Sequence, residues 1–326
     1  MALGMSMNRH GLLILLRTFL LLVATVMGIV LLVSHSPTDP VNEFLGGNVF
    51  SVSSEQRDNI AHILGTNMSE LDRLTDWLVQ MTHGEWGYSN YYQQPVSDVL
   101  KERSGNSLNL LIFSWSLTLC FGYALGLVAG LKNKSALGKC LYYGSWLLSC
   151  LPSFWVGIIL IAIFALKLHW FPVGGASSLS IVNSTWQDNL QHMILPIVCL
   201  VLVGIGPLIL HTKEKVVSLL DSDYVKYAQM HQIPKKRLIC QYLIKGSLVP
   251  TVTLHFAAFA ELLGNAVLIE SVFNYPGLGN AFVYSGLTKD SHLLLALSVC
   301  TTLMIATGNA FANIIQRISQ PSSFRP

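Results

Sequence analysis

The sequence predicts an all-α integral membrane protein: six transmembrane helices, with a short helical extracytoplasmic cap between the first and second. Three observations carry this. Hydrophobic residues make up 52% of the chain and charged residues only 11%, against roughly a quarter charged in a soluble domain. The apolar residues are gathered into blocks long enough to cross a hydrocarbon core of about 30 Å, which takes about 20 helical residues. Between the blocks the chain turns polar or rich in Gly, Pro and Ser.

The blocks run from Leu12 to Ser34, Ser107 to Leu131, Leu141 to Leu166, His192 to His211, Leu248 to Glu270 and His292 to Ile315. Arg9 ahead of an apolar run would also suit a secretory signal. The run is long for a signal core, Arg17 lies inside it, and "VLLVSHSPTDP" offers no small-x-small cleavage site. We therefore read it as a span, with Arg17 snorkelling to the near interface. Cys120, Cys140, Cys150, Cys199, Cys240 and Cys300 all lie in or beside apolar blocks, so no extracellular disulfide framework is implied. The organisation expected is an N-terminal span (1–34), a cap (35–106), a five-helix core (107–316) enclosing a polar loop (213–247), and a tail (317–326).

Orientation follows from lysine and arginine. Arg9 and Arg17, then Lys132, Lys134 and Lys139, then Lys213, Lys215, Lys226, Lys235, Lys236, Arg237 and Lys245, and finally Arg317 and Arg325 fall on one side of the six spans. Both termini and the 221–250 loop are thus expected in the cytoplasm. In the outer segment, Ser53 followed by Gln56 reads as a capping box opening a helix that stops at Gly65. A second helix from Ser69, with Leu71, Leu74, Leu78 and Met81 on one face, ends at His83-Gly84. Acids outnumber bases here, which would attract cationic ligands or a basic partner, or simply give a solvated surface.

Within the membrane, Gly122, Gly126 and Gly130 fall four apart and form a flat strip for close helix packing. Pro152, Pro196, Pro207 and Pro250 mark kinks or freed carbonyls. Ionisable groups at depth are costly and therefore informative. Glu261 lies near the middle of the fifth span and Glu270 near its outer end. Glu261 should face the bundle interior or a watery path, serving either an interhelical hydrogen bond or the lining of a passage. His255 shares the span but lies far round the helix from Glu261, so the pair makes a poor metal site. Glu261, Glu270 and His255 are the candidates for a translocation path; no catalytic group, metal site or cofactor is expected.

The stretch "DSDYVKYAQMHQIPKKRLICQYLIKGSLVP" then needs a reason to exist in so apolar a chain. Ser222 suits an N-cap with Asp223 in the first turn, and Tyr224, Tyr227 and Ala228 make an apolar face. The chain turns near Gln232. Pro234 suits the start of a second short helix, with Leu238, Ile239, Tyr242 and Leu243 on one face. Such a hairpin could rest on anionic lipid; the apolar face of its first helix argues for a partner's groove.

At these residues the chain resembles the membrane permease subunits of bacterial ABC importers, in the branch serving dipeptides, oligopeptides and nickel. Asp223, Tyr224, Val225, Lys226, Ala228 and Pro250 match that family's cytoplasmic coupling motif. "GYS" at Gly87 to Ser89 followed by Pro95-Val96, "LPSFW" at Leu151 to Trp155, "WFPVGG" at Trp170 to Gly175, "HMILP" at His192 to Pro196 and "FNYPGLG" at Phe273 to Gly279 follow in the family's order. The resemblance implies a bacterial inner-membrane subunit that pairs with a second permease, usually a different chain. It also implies two cytoplasmic ATPases, each receiving a coupling helix, and an extracytoplasmic solute-binding protein. Asp223, Tyr224, Val225, Lys226, Ala228 and Gln232 would couple to the ATPase. A short rigid helix tied to two spans transmits a rigid-body movement that a flexible loop would absorb. The chain departs from the family where Gln232 replaces the bend glycine, where Tyr227 and Met230 enlarge small positions, and where Gly246 replaces an asparagine.

Peptide is the first expectation for cargo because that branch is larger, and cationic peptides would suit the acidic cap. Nickel or a metal chelate is the alternative, toward which "AELLGNAVLIESVFNYPGLG" leans; export as well as import remains open. No G-x-x-x-x-G-K-[ST] loop is present, so ATP hydrolysis is expected on separate subunits. A stand-alone channel or secondary transporter would show an inverted repeat and paired midplane coupling residues, and a membrane enzyme would show convergent His, Asp or Glu pairs. Neither pattern is found, and no nucleic-acid partner is expected.

Overall fold

The computed structural model describes residues 16–29, 31, 41, 53–63, 70–175 and 186–319. Almost all of these are helical. Among the described residues, three helices are long and apolar enough to cross a membrane, or up to five if each of two bent pairs counts as one span. The chain divides into two compact units, Met1–Ser107 with Pro276–Ala306 and Leu108–Tyr275 with Thr307–Pro326.

In the first unit, α1 (Leu16–Ile29) is a short apolar helix; the ends of the expected first span lie outside the described residues. Helix α2 (Ser54–Ile63) opens on a reciprocal capping box. The Ser53 amide donates to Gln56 Oε1 at 3.1 Å and the Gln56 amide to Ser53 Oγ at 3.2 Å, satisfying two otherwise orphaned donors. The expected stop at Gly65 and start at Ser69 also lie outside the described residues. Helix α3 (Glu70–Thr82) ends where Gly84 takes φ +85°. Of its expected inward face, the side chains of Leu71 and Leu74 lie outside what is described and Leu78 is 40% exposed, whereas Trp77 is 1% exposed and donates from Nε1 to the Trp86 carbonyl at 3.2 Å. Met81, one turn on from Trp77, packs on the same cluster; Leu78 lies about 100° round the helix from Trp77.

A two-residue hairpin follows, β1 (Tyr88–Ser89) pairing antiparallel with β2 (Gln94–Pro95) in the register Tyr88 to Pro95 and Ser89 to Gln94. Gly87 is required there. Its φ is +86°, and a Cβ would lie 2.9 Å from the His292 ring. Trp77, Val96, Val99, Ala281, Leu293 and Leu297 form the core of this unit, joining α3 to the start of α4 (Val96–Leu131), to α11 (Leu278–Leu287) and to the start of α12 (Ser291–Ser319). At the turn between α11 and α12, Lys289 takes φ +50° and the Asp290 amide donates back to the Ser285 carbonyl at 2.9 Å. Asp290 is wholly buried. It accepts from Ser89 Oγ at 2.5 Å, from the Tyr91 amide at 3.2 Å and from the Leu293 amide at 3.3 Å, so it caps α12 and holds the hairpin together.

The second unit contains the remainder of α4, then α5 (Ala136–Cys150), α6 (Ser153–Leu160, continuing as a π-helical turn Ile161–Lys167), α7 (Trp186–Leu220), α8 (Asp223–Met230), α9 (Lys235–Ala257) and α10 (Phe259–Val272). The glycine strip of α4 lies on α7: a Cβ at Gly122 would meet Leu208 at 2.7 Å, at Gly126 Thr212 at 2.5 Å and at Gly130 Val216 at 2.6 Å. Two expected spans are broken. The Leu141 to Leu166 block is α5 and α6 bent by 104° at Leu151-Pro152, because the residue before proline is driven out of the helical region, here to φ −84°, ψ 131°. The Leu248 to Glu270 block bends by 51° at Ala258, and its helix starts at Lys235 rather than Leu248. Pro196, Pro207 and Pro250 sit inside helices that continue through them. All six cysteines are free thiols.

Candidate functional site: a fastened surface helix and a mid-span carboxylate

Helix α8 begins at Ser222, which is extended at φ −70°, ψ 147° and whose Oγ donates to the Leu219 carbonyl rather than accepting from an amide of the helix start. Asp223 in the first turn is favoured by the helix dipole. Val225 and Ala228, one turn apart, are buried against Val216, Leu238 and Leu243. The apolar face therefore splits differently from the expected Tyr224, Tyr227 and Ala228: Ala228 fastens the helix inward, while Tyr224, Tyr227 and Met230 are 48%, 64% and 79% exposed. Asp223 and Lys226 are exposed as well. Tyr224 lies near-parallel to Tyr242 with ring centroids 6.2 Å apart, and the Tyr227 ring lies 4.1 Å from that of His231.

The turn after α8 is a Schellman motif. The Gln232 amide donates to the Gln229 carbonyl at 3.0 Å and the Ile233 amide to the Ala228 carbonyl at 3.2 Å, with Ile233 packing on the same cluster as Ala228. Gln232 occupies the left-handed position at φ +55°, where glycine is usual and another residue costs about 1 kcal/mol. Pro234 then caps the next helix. This is not the separate short helix expected from the sequence but the first turns of α9, which runs on to Ala257. A π-helical turn, Ile239–Leu243, brings Leu238 and Leu243, five apart, onto the same buried cluster. Gly246 lets Leu219 approach: a Cβ there would lie 2.9 Å from it.

The three residues expected along a path are placed differently from one another. His255 is buried, its Nε2 donating to the Trp115 carbonyl at 2.9 Å and its ring 4.6 Å from the Trp115 indole. Glu270 is 1% exposed, and its carbonyl accepts the Tyr275 amide at 2.7 Å. Burial first, and then the Glu270 charge, push the Tyr275 hydroxyl up to about 12. Glu261 does not face the interior of its own unit. Leu263, Ala266, Ile269 and Glu270 form the buried side of α10, and Glu261, Gly264 and Leu268 lie on the other side. Asp290 escaped the sequence reading altogether. An acid directly before a long apolar run was the available signal, as an N-cap.

Membrane-length helices, two bent helix pairs that each count as one span and a short exposed helix fastened to its own bundle fit a multi-pass membrane protein. The chain belongs to the family "Binding-protein-dependent transport system inner membrane component", whose model matches residues 122–325, and is a membrane permease component of an ABC transporter. It is 26% identical over 303 residues to the oligopeptide transport system permease protein AppB of Bacillus subtilis (strain 168), covering 93% of this chain and 94% of that one. It is 28% identical over 247 residues to the oligopeptide transport system permease protein OppB of Escherichia coli (strain K12), covering 75% of this chain and 78% of that one. Among solved structures, an inward-facing conformation of the MetNI methionine ABC transporter shares the fold with a TM-score of 0.50 at 15% identity, covering 67% of this chain and 96% of that one.

Proposed function

We propose that the chain is one of two permease subunits of a bacterial peptide importer, paired with a different second permease chain. It crosses the inner membrane six times with both termini cytoplasmic, and α2 and α3 form a cap on the outer side. Extracytoplasmic solute-binding protein delivers cargo, and ATP is hydrolysed on two separate cytoplasmic subunits. The oligopeptide permeases to which the chain is similar over most of its length support peptide as cargo. In this reading α8 docks in a groove of the ATPase, and Asp223, Tyr224, Val225, Lys226, Ala228 and Gln232 form or position the contact.

One observation carries the coupling role. Helix α8 presents Tyr224, Tyr227 and Met230 outward while Val225 and Ala228 tie it to the start of α9. A fastened helix with an exposed apolar face suits the transmission of a push, since it moves with the span to which it is attached. Val225 and Ala228 serve here as positioning residues. The test is copurification of the tagged chain with its ATPase subunits. Tyr227→Asp and Met230→Asp should abolish recovery of the ATPase while leaving recovery of the second permease subunit intact; unchanged ATPase recovery would remove α8 from the interface.

A further inference from the structure

The bend at Ala258 falls between two apolar helical stretches of 14 residues each, Ile244–Ala257 and Phe259–Val272. Glu261 therefore stands close to the middle of the span. A carboxylate at that depth facing lipid is not tolerated, yet Glu261 is exposed and has no hydrogen-bond or ion-pair partner among the described residues. Its outward aim is built in. The opposite side of α10 is committed to packing through Leu263, Ala266 and Ile269, and at Gly264, three residues on, a Cβ would meet nothing within 4 Å. The position in the first turn of α10 favours a negative charge through the helix dipole. The chain thus spends a mid-membrane charge on a surface of its own with room beside it.

We propose that Glu261 is a binding site for the α-ammonium group of a peptide in transit, an inference that rests on the peptide reading above. What a lone carboxylate requires in a low-dielectric span is a cation that donates hydrogen bonds, and an ammonium group supplies both. Every unmodified peptide carries an α-ammonium whatever its side chains, so a contact made there tolerates sequence variation in the cargo. The charge balance is consistent with cationic cargo: the segment 35–106, outside in this reading, carries ten acids against four bases, which attracts cationic groups to that side.

The experiment measures uptake of tri-alanine and of N-acetyl-tri-alanine by cells whose only peptide importer is the complete transporter containing this chain. Both are supplied at saturating concentration so that delivery does not set the ratio. The wild-type chain should take up tri-alanine about tenfold faster, the size of effect one charge-assisted hydrogen bond supplies. Glu261→Gln should bring the ratio to about one, and Glu261→Asp should retain most of the preference. A Glu261→Gln chain that keeps the tenfold ratio overturns the proposal and leaves the peptide reading standing. So does a Glu261→Gln chain that reaches the membrane at the normal level but no longer copurifies with the second permease subunit, because the carboxylate would then pair with a basic group of that subunit. Uptake of neither peptide by the wild-type chain would overturn the peptide reading and this proposal with it.

Discussion

Asp290 and Glu261 are two carboxylates in a chain with little tolerance for either, and they are treated in opposite ways. Asp290 is entirely buried and accepts hydrogen bonds from a hydroxyl and two backbone amides, so its charge is spent within the fold. Glu261 is exposed on a membrane-spanning segment, lies opposite the packed side of its helix and holds nothing. The contrast separates structural from functional ionisable groups on physical grounds. A buried and satisfied acid fixes the backbone around it, whereas an unsatisfied acid at membrane depth implies something that arrives from outside the chain.

The largest expected effect tests the structural side of that contrast. Asp290→Ala strands the Ser89 hydroxyl and the Tyr91 and Leu293 amides, and should cost about 3 kcal/mol or more, read as a lowered thermal midpoint of the detergent-solubilised chain. If Asp290→Ala melts like the wild type, the distinction between the two acids has no energetic content. Next comes the packing of the second unit. Gly126→Val forces methyl groups into Thr212 and should destabilise by about 2 kcal/mol, whereas Gly264→Ala, facing open space, should leave the midpoint within the range of an ordinary surface change. A smaller effect, on binding, is expected on the surface helix: Tyr227→Ala should weaken ATPase capture by about tenfold with little change in melting, since Tyr227 is 64% exposed. Smallest is Gln232→Gly, which should raise stability by about 1 kcal/mol by relieving the left-handed φ of +55°; a destabilised variant would show that the glutamine side chain is held by something worth more than the strain.

Local chemistry was legible in the sequence wherever a single residue type decides the backbone. The Ser53 and Gln56 pair announced its helix, Ser222 and Pro234 marked the starts of theirs, and Leu151 before Pro152 sits at the 104° break. The second bend was not readable. "HFAAFAELL" contains neither proline nor glycine and consists largely of good helix formers, so the break at Ala258 is imposed by packing. Phe259 sits on Gly308, where a Cβ would come within 2.4 Å of its ring. The same limit hid the inward face of α8. Spacing groups Tyr224, Tyr227 and Ala228 correctly as apolar, but which apolar residues turn inward depends on Leu238 and Leu243, and these align only because of a π-helical turn that no periodicity announces. Trp77 was missed because three leucines and a methionine at helical spacing outweighed one tryptophan lying between two of them.

The unbroken course of α9 has a mechanical consequence. Val225 and Ala228 are clamped to its beginning, and it continues to Ala257, a rod of roughly 33 Å at the usual rise per residue. A tilt of about ten degrees applied at its first turn would displace the far end by about 6 Å on that length. The far end stops four residues before Glu261, which the next helix carries beyond the bend, so a nudge given where α8 is clamped travels along one stiff rod to the foot of that acid.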